Sequence, residues 1–310
     1  MVRGAGPDGR GPGPPGRVRI KARAKVNLWL SVRGRRPDGY HEIESVMQSI
    51  DIADRLEMRR ASVTRVDFRW MGSGAPTEPE RPDLVERAIC IFARRTGAPW
   101  GAEVSVTKMI PLASGLAGGS ADAAAALLGA NALADHPLPA EELAGLAAEV
   151  GSDVPFTLRG GIALAGGRGE RLRALDCRGR LWWAAAVSDF PLETTRVYRR
   201  HDSFGQVGDR SVESLVRAVA TGSPERIAPL LRNDLEAAAC DLEPSLGPLK
   251  SAIVEAGALG AVMSGSGPTL LGLCRDEVHA RQVAGRLAPL FARVEVAPST
   301  TAGAEILDIS

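Results

Sequence analysis

Residues that bind structural metals or staple small folds are scarce in this chain. Only four cysteines occur among 310 residues, Cys90, Cys177, Cys240 and Cys274. They are widely spaced, form no C-x-x-C pair and have no local histidine partners. That argues against a zinc site or a disulfide framework and for free thiols in a reducing compartment. Long apolar runs are also missing. None approaches the ~20 residues that span a bilayer, and the N-terminal stretch lacks the apolar segment of a secretory signal. The expectation is a cytoplasmic protein with no membrane partner. There is no excess of one charge, with 38 Lys plus Arg against 37 Asp plus Glu, so no overall field favours nucleic acid. Aromatic residues make up 4% of the chain, including only two tyrosines, and histidines number four. The adjacent pair Tyr40-His41 therefore stands out.

The length suits one large or two medium domains. Residues 1–17 are rich in Gly, Pro and Arg and cannot bury enough surface to offset their ordering entropy, which predicts a disordered tail. The pattern Gly11-Pro-Gly-Pro-Pro-Gly16 matches G-x-G-x-x-G in form only, since no strand precedes it and its prolines lack N–H groups.

The most informative stretch is the run from Pro111 to Ala124. Before it, Ala102, Val104 and Val106 alternate with Glu103, Ser105 and Thr107, as in a strand. After it, Ala121 to Leu133 reads as a helix. A strand, a loop with Gly115, Gly118 and Gly119, and a helix start together aim free backbone N–H groups at an anion. Ser120 and Asp122 can each cap that helix, and the Ser120 hydroxyl can also reach a phosphate or a metal ion. The run lacks the Gly-Lys-Ser/Thr of a P-loop and the dinucleotide fingerprint. The expectation is a loop holding the phosphates of a nucleotide, with tight strand-to-helix packing as the alternative.

Other candidates are spread along the chain. Val18 to Val32 reads as one long strand or two passes, with Lys25 and Asn27 on the same side. Pro37-Asp38-Gly39 is a turn signal. Tyr40 and His41 after it suit a planar heterocycle, or else form a surface lid. Short strands are expected around Leu56–Met58 and Val66–Phe68, then a loop over 71–82 and a helix opening at Pro82. A second helix starts at Pro139 and stops at Gly151. Asp153, two residues before Pro155, is a helix cap or a base. From about residue 181 the pattern changes to strands at 181–187, 270–274 and 294–296. Helical stripes lie between them, and a second glycine turn runs from Met263 to Thr269. This half reads as an antiparallel sheet with helices on one face.

Three of these segments resemble the three motifs of the GHMP small-molecule kinases: Ala24-Lys-Val-Asn-Leu28, the Pro111–Ala124 run, and Met263-Ser-Gly-Ser-Gly-Pro-Thr269. The likeness implies an α+β fold of two domains. Residues 18–180 would form an N-terminal half like the second domain of ribosomal protein S5, and residues 181–310 a ferredoxin-like α/β sandwich. It implies an ATP-dependent phosphotransferase with an alcohol acceptor. Lys25 and Asp153 become the catalytic pair. ATP is held by Pro111, Leu112, Ala113, Ser114, Gly115, Leu116, Ala117, Gly118, Gly119 and Ser120, with Mg²⁺ on Ser120. Asp83 stands where the family places an asparagine toward the adenine. The Arg-Pro-Asp-Gly-Tyr-His and Gly-Ser-Asp-Val-Pro-Phe segments narrow the implied substrate to a cytidyl diphosphate sugar alcohol, phosphorylated on its 2-hydroxyl. Asn27, Tyr40, His41, Tyr198, Gly265, Ser266 and Gly267 would contact it, with Thr194 near Tyr198. Because Ala113 and Ser114 stand where glycines are commoner, both are expected to avoid positive φ. Another kinase of the superfamily, acting on homoserine or mevalonate, and a catalytically silent nucleotide binder are the alternatives.

Overall fold

The protein is represented by a computed structural model that describes residues 16–71, 84–97, 100–205 and 211–310. Most of the expected tail, the 71–82 loop, the helix start at Pro82 and Asp83 lie outside the described residues.

In chain order the elements begin β1 (Val18–Arg35), β2 (His41–Ala61), β3 (Arg65–Trp70), α1 (Leu84–Thr96), β4 (Gly101–Lys108), α2 (Gly118–Ala132), α3 (Ala140–Val150), α4 (Val154–Arg159), β5 (Ile162–Gly166) and β6 (Arg171–Ala174). They continue with β7 (Trp182–Val187), α5 (Thr194–Asp202), α6 (Glu213–Thr221), α7 (Pro224–Ile227), β8 (Arg232–Asn233), α8 (Glu236–Leu242), α9 (Leu246–Glu255), β9 (Gly260–Met263), β10 (Leu270–Cys274), α10 (Glu277–Leu287), β11 (Arg293–Pro298) and β12 (Glu305–Ile309).

The first sheet runs β12-β1-β2-β4-β3, with β5 and β6 continuing from β2 and β8 on β1; the second runs β11-β7-β10-β9. The second is antiparallel throughout. One of its faces, with Ala184, Ala186 and Leu270, packs on α8, α9 and α10, while Trp183, Ala185, Leu271 and Leu273 join the large core shared with α6. Its helices α8, α9 and α10 lie on one face as expected, the other face is covered by the large core, and β10 is buried throughout.

β1 is a single strand, but every residue from Ala22 to Ser31 is buried. Its polar positions, Lys25, Asn27 and Ser31, turn into the protein instead of to water. Register with β2 shifts between Arg23 and Lys25 and again between Asn27 and Trp29, so irregularities bracket the pair and can re-aim its side chains. β2 is one strand of 21 residues, not the short strand expected near Leu56. Buried polar Ser45, Gln48 and Ser49 interrupt the apolar alternation that marks a strand. Gln48 accepts from Trp183 Nε1 at 2.9 Å, joining the two sheets.

α2 carries buried alanines at 121, 123, 124, 125, 126 and 130. A helix apolar on all sides belongs in an interior, and α2 packs against β1, β2, α1 and α4. The expected caps at its start do not form. Ala117 is the N-cap in a left-handed conformation, with no side-chain bond to the first turn, and Asp122 is directed to Lys108 instead. α3 stops at Gly151, which is extended and not left-handed. All four cysteines are free. Among the described residues, no helix is long and apolar enough to cross a membrane.

Candidate active site

A cavity of about 1020 Å³ opens between the glycine loop, the middle of β1, the start of β2, and α5. The Lys25 backbone N–H donates to Leu116 O at 3.1 Å, tying β1 to the loop. Lys25 Nζ donates to Asn27 Oδ1 at 2.8 Å and lies 3.3 Å from Asp153 Oδ2. Asn27 Nδ2 donates to Ser45 Oγ, which donates to Trp29 O. This chain of bonds turns the Asn27 carbonyl oxygen toward the ammonium. The lysine in the middle of β1 and the carboxylate 128 residues later therefore meet in one site.

The capping alternative for Asp153 is resolved by geometry. Asp153 occupies the N-cap of α4, but its side chain makes no cap bond. The carboxylate is left to Lys25 and the cavity.

The glycine loop reaches the start of α2 with the Ala121 N–H making the first helical bond, to Ala117 O. The N–H groups of Gly118, Gly119 and Ser120 precede it and have no acceptor within the helix. They point out of the positive end of the α2 dipole. Ala113 has φ 44° and Ala117 φ 58°, so the expectation that Ala113 avoids positive φ is wrong, while Ser114 does avoid it. Each alanine carries about 1–2 kcal/mol of left-handed strain, held in place by the surrounding loop. Gly115, at φ 77°, abuts the second glycine turn: a Cβ there would lie 2.1 Å from Ser264 O. Ser264 Oγ donates to Gly115 O at 3.0 Å, and the Thr269 N–H donates to Ser114 O. The two glycine turns are one packed unit. Gly115→Ala is expected to destabilise the protein by about 3 kcal/mol. Gly119→Ala, whose Cβ would meet only Leu84 Cδ1 at 3.7 Å, should be near neutral. Thermal denaturation of both variants checks this, and equal melting temperatures would refute it.

At the other end of the cavity, the His41 and Tyr198 rings stack at 4.7 Å with an interplanar angle of 30°. Burial, and then the Asp153 charge, push the Tyr198 phenol above its ordinary range, so it stays a neutral donor. Tyr40 is exposed at the rim under the Arg168 guanidinium, 4.9 Å from its ring centre. Ser266 Oγ shares a hydrogen with Thr194 Oγ1 at 2.8 Å. Of the residues expected at the site, Leu116 and Gly267 do not line the cavity. Leu116 is fully buried, and a Cβ on Gly267 would strike Met263 Sδ at 2.6 Å; both serve packing.

Sequence reasoning missed a buried cluster behind the glycine loop. Lys108 Nζ donates to Asp54 and, at 2.5 Å, to Asp122 Oδ2. Asp54 Oδ1 also accepts from the N–H groups of Met109 and Ile110. All three side chains are almost wholly inaccessible. Burial holds the Asp122 carboxyl well above the usual carboxylate range, against the opposing pull of Lys108. Lys108 is raised, because its two carboxylate neighbours outweigh the cost of burying it. Asp202, on the ring of His41, was also missed. An ionisable residue at the end of a predicted strand and another in the first turn of a helix were the only available signals for the Lys108 cluster.

No group of three or more His, Cys, Asp or Glu that could hold a metal occurs among the described residues. The Ser120 hydroxyl at the head of α2 faces the cavity with no described side-chain partner. A single hydroxyl beside a phosphate cradle fits Mg²⁺, which keeps most of its shell as water and phosphate oxygen.

A glycine loop feeding a helix, a facing glycine turn and a lysine–aspartate pair, set between two sheets, describe a small-molecule kinase. Models of the GHMP kinases N terminal domain and GHMP kinases C terminal domain match residues 83–161 and 215–291, and the chain belongs to the GHMP kinases. It is 44% identical over 277 residues to the 4-diphosphocytidyl-2-C-methyl-D-erythritol kinase of Gloeobacter violaceus, covering 87% of this chain and 90% of the relative. A crystal structure of 4-(cytidine 5'-diphospho)-2C-methyl-D-erythritol kinase superposes with a TM-score of 0.75 at 34% identity, covering 91% of this chain and 98% of the other. The homoserine kinase of Cytophaga hutchinsonii, at 19% identity and a TM-score of 0.74 over 99% of this chain and 100% of the other, shares the fold.

Proposed function

We propose that the protein transfers the γ-phosphoryl group of ATP to the 2-hydroxyl of 4-diphosphocytidyl-2-C-methyl-D-erythritol, a step in isoprenoid precursor synthesis carried out in the cytoplasm. The observation that carries this reading is the 3.3 Å approach of Lys25 to Asp153 beside the glycine loop, with a stacked His41–Tyr198 wall in the same cavity. The free N–H groups at the head of α2 take the β- and γ-phosphates. Ser120 would hold Mg²⁺, which would supply positive charge to the phosphates. Asp153 accepts the proton of the attacking hydroxyl, and Lys25 keeps Asp153 ionised and stabilises charge on the transferring group. Asn27 fixes the lysine and offers a polar contact to the substrate. Tyr40, His41 and Tyr198 surround the base of the cytidyl group, while Gly265 and Ser266 close the cavity opposite the phosphates.

ATP consumption measured with the cytidyl substrate, homoserine and mevalonate tests the reading. Turnover with the cytidyl substrate alone is expected. Turnover only with one of the other two would move the protein to another branch of the superfamily. His41→Ala is expected to raise the KM for the cytidyl substrate by about tenfold, the scale of one hydrogen bond plus a stacking contact. Its kcat should stay within about threefold of the parent. An unchanged KM would place His41 outside the substrate pocket.

A further inference from the structure

The contact between His41 and Asp202 sets the chemical character of the pocket wall. His41 Nε2 lies 2.7 Å from Asp202 Oδ1, and none of the described residues bonds Nδ1. Asp202 ends α5, one turn beyond Tyr198. The two side chains share a helix face and both reach His41, one on the face of the ring and one on its edge. A carboxylate at a helix C-terminus opposes the dipole, so helix stability does not account for it. The neighbouring bases Arg199, Arg200 and His201 satisfy that end, and Arg200 is committed to Asp241 at 2.6 Å.

We propose that Asp202 is a positioning residue that holds His41 as the Nε2–H tautomer, leaving a bare Nδ1 lone pair that selects an amino group on the ligand. An ionised carboxylate can only accept, so Nε2 must carry the hydrogen and the neutral ring must offer Nδ1 as an acceptor. This rests on the reading of the His41–Tyr198 wall as the base pocket. It adds a discrimination to that pocket. At the 4-position cytosine carries an amino donor and uracil a carbonyl acceptor, and a lone pair facing that position pairs with the first and repels the second. Leaving such a buried pair unmade is a strong source of rejection.

The test uses the full chain labelled with ¹⁵N-histidine. Two-bond ¹⁵N–¹H spectra at pH 8 read the tautomer of His41 with no substrate present. Wild type is expected to show the Nε2–H form, and Asp202→Ala a mixture of the two. In steady-state assays, the ratio of kcat/KM for the cytidyl substrate to that for its uridyl counterpart should fall at least tenfold in Asp202→Ala. The loss should appear in KM, with kcat within about threefold. Asp202→Asn, whose amide oxygen can still accept from Nε2–H, should recover most of the ratio, which a general loosening of α5 would not permit. An Nδ1–H ring or a doubly protonated ring in wild type would overturn the proposal. So would an unchanged tautomer and substrate ratio in Asp202→Ala. Failure of wild type to use the cytidyl substrate would instead overturn the reading of the pocket, while the spectra would still decide whether Asp202 sets the tautomer.

Discussion

Replacing Asp153 by asparagine is expected to lower kcat by about 10³-fold, within the range ascribed to a general base, while ATP affinity stays within about threefold. The amide preserves shape and can still lie near Lys25, but it cannot take a proton from the attacking hydroxyl. The Asp153 side chain makes no cap bond to α4, so no helix is uncapped by the substitution. The phosphate cradle is built from backbone groups of the loop and α2, none of which depends on this side chain. Single-turnover kinetics and calorimetric ATP titration separate the two quantities. A kcat within tenfold of wild type would remove Asp153 from the chemistry, and a parallel loss of ATP binding would make it a structural element of the cradle.

The largest stability effect is expected at Lys108. In Lys108→Met, Asp54 and Asp122 lose the one cation between them in a site where all three side chains are nearly inaccessible. Breaking a buried ion pair from one side costs about 3–5 kcal/mol. That deficit should shrink as the pH falls and the stranded Asp122 carboxyl, already raised by burial, protonates. Asp122→Asn tests the opposite side of the cluster. Since burial raises the folded-state pKa of Asp122, its contribution is fully present below the ordinary carboxylate pKa and is lost as pH climbs toward the folded value. The asparagine variant should therefore gain on wild type as the pH rises from the ordinary carboxylate range toward neutrality. Denaturation curves across that range check both variants; flat, wild-type-like behaviour of both would mean the cluster is dispensable.

The parts of this molecule legible in the sequence are those written in local pattern. The glycine loop between strand and helix, the shared side of Lys25 and Asn27, and the turn that presents Tyr40 and His41 all follow from spacing over a few residues. What escaped depends on distant partners. Asp122 has the appearance of a cap because it sits in a first turn, and only its bond to Lys108 at the end of β4 reveals where it points. Asp202 is hidden at the end of the run Arg199-Arg200-His201, where a surface helix end is the natural reading. Ser45, Gln48 and Ser49 conceal β2 because their partners, Asn27 and Trp183 among them, lie in other elements. The left-handed φ of Ala113 is likewise invisible to a residue-type rule, being imposed by a loop pinned to the second glycine turn.

Strand β12 pairs with β1, Val18 against Ile309 and Lys21 against Glu305, and β8 adds to β1 at Trp29 and Leu30. During synthesis on the ribosome, β1 can pair with β2 at once, but its other edge waits for β8 and β12. The sheet that holds Lys25 is completed only by strands from the far end of the chain, and a nascent chain halted before residue 305 would leave the Val18–Lys21 edge of β1 open to mispairing.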